Sequence, residues 1–340
     1  VTPNVAEALK IVAARHPLSR DLSERVFGDL MDGKATEAQK GAILIGIATR
    51  GETSDEIAGA VSALRGRMRR VSTSRTPVLD TCGPGGIGRD MFNLSTATAI
   101  VAAGAGACVA KHGNRSISSR VGSADVLAAA GVAIDLDPDR AGRLLDEIGL
   151  VFLFAPAFHP AMKELGTVRR ELGVRTIFNA LGPLANPAGA MRQMIGVGRP
   201  ELVSLLADAL ATLGSERAVV FHSANGLDEL IPGVPASGIE VREGWTRPWT
   251  YKPGDVAQAT VDAAELAGGD ASSNAAMLRA LLDGEKGPRR EAVLLNAALG
   301  LVVADVADRL DDGYERACAA IDDGRALATF EKLRAGGTAA

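Results

Sequence analysis

Between Asp80 and Gly131 three apolar segments enclose two polar loops, and this alternation limits the fold more than any other stretch of the chain. Val78 and Leu79 end a short apolar run, after which Gly83, Gly85, Gly86 and Gly88 leave the backbone almost bare of side chains. A loop of this kind lets several N–H groups approach one anion. Asn93, Ser95 and Thr96 then supply small polar groups and a helix N-cap just before the apolar stretch 97–103. After the next apolar run, 107–110, come Lys111, His112, Gly113, Asn114 and Arg115, followed by Ser116, Ser118, Ser119 and Arg120. Ser123 and Asp125 open a further helix. Cations and hydroxyls on loops that follow successive strands describe a site for a highly charged phosphorylated ligand, because charge-assisted bonds to Lys and Arg are the strong ones.

The rest of the chain supplies the scaffold. Apolar residues at three- and four-residue spacings predict helices over 6–14, 23–31, 38–49 and 54–68, broken at Gly33 and Gly51. From Pro77 the pattern changes to short apolar runs alternating with helices, with strands expected at 78–79, 107–110, 151–154, 194–197 and 218–221. Residues 246–251 suggest a further strand, and helices return over 274–282, 289–303, 313–321 and 324–334. The expected fold is α/β, a largely parallel sheet with flanking helices plus a smaller all-helical domain. The division expected is an N-terminal helical domain over 1–72 and an α/β domain over 73–340 that carries the phosphate loops; the pattern leaves open that the later helices rejoin the first. Ligands in such sheets bind beyond the carboxyl ends of the strands. The loops after 79, 110, 154 and 221 would gather there.

Composition narrows the function. A formal charge of −4 gives no basic field, so no nucleic-acid partner is expected. Three cysteines do not make a disulfide framework, and a reducing cytoplasm is the natural setting. The first residues carry no signal-peptide pattern, and no apolar run is long enough to span a bilayer, so no membrane partner is expected either.

Several features have a plainer reading beside the functional one. Gly83, Gly85 and Gly88 match the dinucleotide fingerprint in letters, but the helix begins only near Ser95 and Lys111 stands where an acidic ribose ligand belongs. His112 and His159 read as satisfied loop histidines and Cys82 as a buried, inert thiol. Asp228 and Glu229 would form an exposed turn, or a hard-cation site if their loop lies on the ligand edge, since Mg²⁺ favours one or two carboxylates plus substrate phosphates. Arg169, Arg170 and Arg175 would line a solvated helix face, or offer a fork to a flat carboxylate.

GPGGIGRDMFNLST, KHGNRSISSRVGSADVL, HPAMK, VRRELGVRTIFNALGPLANP and GLDEL, in this order and spacing, resemble the anthranilate phosphoribosyltransferases, and the likeness runs through nearly the whole chain to NAALGLVVADVADRL. The resemblance implies a homodimer of tryptophan biosynthesis that binds 5-phosphoribosyl 1-diphosphate and anthranilate with Mg²⁺ in a cleft between the two domains. It implies that Gly83, Gly86, Asn93, Ser95, Thr96, Lys111, Arg115, Ser119 and Ser123 hold the donor, with Ile87, Met91, Leu94, His112 and Gly113 completing the substrate lining. It further assigns metal to Ser95, Asp228 and Glu229, and anthranilate to Asn114 and Arg169. The first loop departs from the family pattern, with Pro84 in place of Thr and Ile87 in place of Asp.

An aromatic amine is neutral near pH 7 and exposes its lone pair unaided, so no general base is expected; positioning and charge supply the catalysis. Two other readings are a phosphoribosyltransferase or nucleoside phosphorylase with another acceptor, and a non-catalytic nucleic-acid-binding relative. Asn114 and Arg169 speak against the first, the acidic balance and Asp228–Glu229 against the second.

Overall fold

The computed structural model describes residues 2–84, 90–116, 121–256 and 259–338. Four helices open the chain: α1 (Pro3–Ala13), α2 (Arg20–Met31), α3 (Glu37–Arg50) and α4 (Ser54–Arg65). Each begins where a hydroxyl side chain takes up an orphan N–H, and Thr36 with Gln39 and Thr53 with Glu56 form reciprocal capping boxes.

Five parallel strands follow, β1 (Leu79–Asp80), β2 (Val109–Gly113), β3 (Leu150–Phe154), β4 (Arg192–Gly196) and β5 (Arg217–Ser223), then an antiparallel pair, β6 (Ala236–Arg242) and β7 (Trp245–Tyr251). The order across the sheet is β3-β2-β1-β4-β5-β6-β7. The largely parallel sheet expected from the sequence is present, but the strands differ in their ends. β1 includes the buried Asp80, and β2 runs on through Lys111, His112 and Gly113, which the sequence had suggested begin a loop. Polar side chains concealed both extensions. Gly238 breaks the strand pattern of β6 in the sequence; a Cβ there would lie 2.2 Å from Val220 O, so the glycine serves close strand approach, not a turn.

β5 shows how the faces divide. Ala218 and Val220 join a core with α11 (Glu201–Thr212) and the N-terminal helices, whereas Val219 and Phe221 join the core on the opposite face. The opposite core holds α5 (Leu94–Gly104), α6 (Ser123–Ala129) and α7 (Pro138–Ile148). Crossover helices thus leave β1 and β4 toward opposite faces, which makes the gap between these adjacent strands the topological switch point.

The connection from β3 to β4 carries α8 (Ala155–Phe158), a 3₁₀ turn at Pro160–Leu165, α9 (Gly166–Leu172), α10 (Phe178–Leu181) and a second turn at Gly182–Leu184. Leu165, Val168, Phe178 and Leu181 pack with Phe27, Leu30 and Ile43. Phe27 and Phe178 meet edge to face at 5.6 Å, and Lys40 Nζ donates to Glu164 O at 2.7 Å. This middle segment, not the chain's last helices, joins the N-terminal bundle. The last helices are α12 (Ala271–Leu282), α13 (Pro288–Val303), α14 (Leu310–Asp322) and α15 (Arg325–Thr338). α13, α14 and α15 pack on α5, and among the described residues none of them joins the core of the first helices.

Candidate active site

Asp80, at the end of β1, is fully buried and organises the floor of the switch point. Its Oδ1 accepts from the amides of Cys82 and His112, both at 3.1 Å, and Oδ2 accepts from Asn186 Nδ2 at 2.7 Å. Asn186 also donates to Ala110 O, tying the β3–β4 connection across β1 and β2. Burial pushes the Asp80 carboxyl up to about 6, against the hydrogen bonds and the Lys111 charge. Asp80, Cys82 and His112 lie close enough to hold a metal, yet the carboxylate is already satisfied. Burial pushes the Cys82 thiol up to about 12, far from a thiolate. His112 Nδ1 meets Gly182 O at 2.9 Å, and its Nε2 meets His159 Nε2 at 3.2 Å. The imidazole therefore supports the floor and has no ring nitrogen left for a substrate.

Lys111, 4% exposed, reaches the other way. Its Nζ donates to Ser95 Oγ at 3.1 Å and to Thr81 Oγ1 at 3.4 Å. Ser95 stands in the first turn of α5, whose N-cap is Asn93; Asn93 Oδ1 accepts from Thr96 N at 3.1 Å. Leu94 and Thr96 turn into the core, so of the three residues opening the helix only Ser95 presents its side chain to Lys111. A helix N-terminus with an ammonium beside it is a strong anion receptor.

Glycines set the close approaches around it. A Cβ on Gly83 would lie 2.8 Å from Gly196 O, so the first loop leaves β1 directly over the end of β4. A Cβ on Gly113 would lie 2.3 Å from Ser123 Oγ, which brings the end of β2 against the start of α6. Asn114 and Arg115 follow on the exposed side, where Arg115 Nη1 pairs with Asp125 Oδ1 at 2.6 Å. Asp125 Oδ2 also accepts from the amides of Ser116 and Gly122, tying these two residues to α6. Met91 forms an antiparallel bridge with Ala267. Gly86, Ile87 and Ser119 lie outside the described residues.

The carboxylates belong to the same edge. Asp228 O would be 1.7 Å from a Cβ on Gly196, so the loop after β5 rests on β4 only because that residue is glycine. Ser223 Oγ donates to Glu229 O at 2.6 Å, and the buried Asn296 of α13 clamps both backbone groups of Leu230. Burial and the neighbouring Asp228 push Glu229 up, with the Lys111 charge acting in opposition. Burial likewise raises Asp228, opposed by Arg175.

Of the three arginines, Arg170 and Arg175 are exposed, and Arg175 Nη2 donates to Pro84 O at 3.4 Å. Arg169 is different. It is half-buried with its guanidinium 5.4 Å from the Phe178 ring centroid, and among the described residues no acceptor meets it. Burial lowers its pKa with no anion opposing. Asp80, Asn186 and Asn296 belong to no site motif visible in the sequence. The only prior signals were an acid closing an apolar run and an Asn-Pro step.

Comparison with known proteins gives the same frame. Residues 75–327 match the glycosyl transferase family a/b domain, and residues 6–68 match the helical bundle domain of that family. The anthranilate phosphoribosyltransferase of Anaeromyxobacter dehalogenans (strain 2CP-C) is 51% identical over 317 residues, covering 93% of each chain. That of Thermomicrobium roseum is 48% identical, covering 97% of this chain and 96% of the relative. The crystal structure of the Thermus thermophilus enzyme superposes with a TM-score of 0.92 at 40% identity, covering 98% of this chain and 99% of that one. The Saccharomyces cerevisiae enzyme in complex with PRPP and Mg shares the fold, with a TM-score of 0.88 at 23% identity over 99% of both chains.

Proposed function

The chain belongs to the anthranilate phosphoribosyltransferases, and from that premise we propose how it transfers the 5-phosphoribosyl group of 5-phosphoribosyl 1-diphosphate to the amine of anthranilate, releasing diphosphate, in tryptophan biosynthesis. The observation that carries the site assignment is Lys111 Nζ on Ser95 Oγ at the N-terminus of α5, a fixed positive corner at the switch point. The donor phosphates would lie against the Gly83 loop, the Asn93–Ser95 turn, Lys111 and the second loop from Gly113 to Ser123. Gly86, Ile87 and Ser119 enter this reading through the resemblance alone.

As the amine nitrogen bonds to the anomeric carbon, the bond from that carbon to the diphosphate oxygen breaks. Positive charge then gathers on the ribose and negative charge on the departing group, which the Lys111 ammonium faces. The substituted nitrogen, cationic once bonded, afterwards releases its proton to water. His112 is engaged with Gly182 O through one ring nitrogen and with His159 through the other, which supports leaving the base role unassigned.

Asp228, Glu229 and Ser95 offer hard oxygen donors without nitrogen or sulfur, a set suited to Mg²⁺. Burial, with Asp228 beside it, raises Glu229 in spite of the Lys111 charge, and a divalent cation on these oxygens would favour the ionised pair. When bound, Mg²⁺ would offset charge on the leaving diphosphate. Arg169 over Phe178 fits the anthranilate carboxylate, and Asn114 would complete that end. We place the enzyme in the cytoplasm as a homodimer on the strength of the family resemblance; no helix among the described residues is long and apolar enough to cross a membrane.

The test is direct. Protein mixed with anthranilate, 5-phosphoribosyl 1-diphosphate and Mg²⁺ should consume the fluorescence of anthranilate, with one diphosphate released for each anthranilate lost. No loss of fluorescence would overturn the reading.

A further inference from the structure

The exit of the first loop is held by a residue 181 positions away in the sequence. Asn274 lies in the first turn of α12 and is 1% exposed. Its Oδ1 accepts from Asn93 N at 3.0 Å, while its Nδ2 donates to Gly269 O and Asp270 O, both at 3.1 Å. These partners fix which way the amide faces, because only the oxygen can receive the Asn93 N–H and only the nitrogen can serve two carbonyls. The preceding segment is laid antiparallel along the loop exit. Phe92 N donates to Leu266 O at 2.8 Å, Gly268 N donates to Asp90 O at 3.0 Å, and Met91 bridges Ala267. A Cβ on Gly268 would lie 2.5 Å from Met91 O, so the strap can lie this close only as glycine.

What the strap holds is the start of α5. Asn93 caps that helix through Thr96 N, and Ser95 beside it meets Lys111. The direction of the N–H groups offered to a phosphate therefore follows from where Asn93 sits, and the backbone of Asn93 is set by Asn274. We propose that Asn274 is a positioning residue for the phosphoribosyl diphosphate donor, acting through Asn93 and touching no substrate. This rests on reading the N-terminus of α5 as the donor site. Removing the Asn274 oxygen leaves the Asn93 amide without its acceptor and frees the cap to shift, which weakens donor binding while leaving the anthranilate end, on α9 and α10, intact.

The experiment measures kcat and the separate KM values for donor and anthranilate in Asn274→Leu, Asn93→Ala and the double variant, with thermal unfolding as a check on folding. Asn274→Leu should raise the donor KM about tenfold and leave the anthranilate KM within about twofold. The double variant should be no worse toward the donor than the poorer single variant, because both changes act through one cap. Gly268→Ala displaces the strap while keeping the Asn274 side chain and should also raise the donor KM, so it carries the test if Asn274→Leu does not fold. A folded Asn274→Leu with unchanged donor KM, equal rises in both KM values, or additive penalties would overturn the proposal. Should Asn93→Ala leave the donor KM unchanged, the donor site itself has been misplaced and the proposal falls with it.

Discussion

Lys111 Nζ stands 3.1 Å from Ser95 Oγ, joining the end of β2 to the first turn of the helix that leaves its neighbour β1. The contact depends on a cation placed within a strand, where its stem is packed and its ammonium has little freedom. Such a charge is aimed before the ligand arrives, which is the condition for strong stabilisation of a leaving anion.

Lys111→Met keeps the stem and removes the charge. The expected outcome is a fall of roughly 10²–10³ in kcat/KM for the donor, the usual cost of removing one preorganised electrostatic contact. The anthranilate KM should be nearly unchanged. Steady-state kinetics with each substrate varied in turn would check this, and equal rises in both KM values would show that Lys111 shapes the cleft as a whole.

Replacing Asp228 and Glu229 together with Ala should remove most turnover and, at the same time, stabilise the free protein near pH 7. Both carboxyls are raised by burial, and Asp228 adds repulsion at Glu229, so their ionised forms work against the fold. Thermal unfolding without Mg²⁺ reads the second effect. A lower Tm for the double variant would mean that the pair is held by partners other than a cation.

The histidine pair sets an acid limit. Burial pushes His112 down to about 3 and His159 to about 4, so the folded state keeps both neutral while the unfolded chain binds protons below its ordinary histidine value near 6.5. For groups lowered in the folded state, stability is lost as pH falls through that window, from about 6.5 toward 4. Asp80 runs the other way, being raised to about 6, and offsets part of the loss. His159→Gln should therefore flatten the decline of stability between about pH 6.5 and 4.5, as measured by urea unfolding. An unchanged slope would remove His159 from that account.

Much of this was legible in the sequence because phosphate sites are written in local terms. The glycine-rich run, the Asn93 cap and Lys111 lie close to one another along the chain, and the order of strands and helices announced where they would meet. What the sequence hid is long-range. Asp80 reads as an ordinary strand-end acid until Asn186 reaches it from 106 residues away. Asn274 reads as a helix-opening polar residue until its oxygen is found on Asn93. The bundle's true completion was also obscured, since Leu165 and Phe178 sit in short helices and turns too irregular to show a 3.6-residue period.

The central claim is that one end of the cleft reads a carboxylate on the acceptor through Arg169, whose guanidinium lies over Phe178 without an acceptor among the described residues. The most direct measurement compares anthranilate with aniline, which lacks the carboxylate, as acceptors for wild type and Arg169→Ala at saturating donor and Mg²⁺. A charge-assisted contact of about 1.5–3 kcal/mol corresponds to a preference of roughly 10–100-fold or more. Wild type should show that preference in kcat/KM for anthranilate, and Arg169→Ala should lose most of it with the donor KM unchanged. A variant that keeps the full preference would contradict the account.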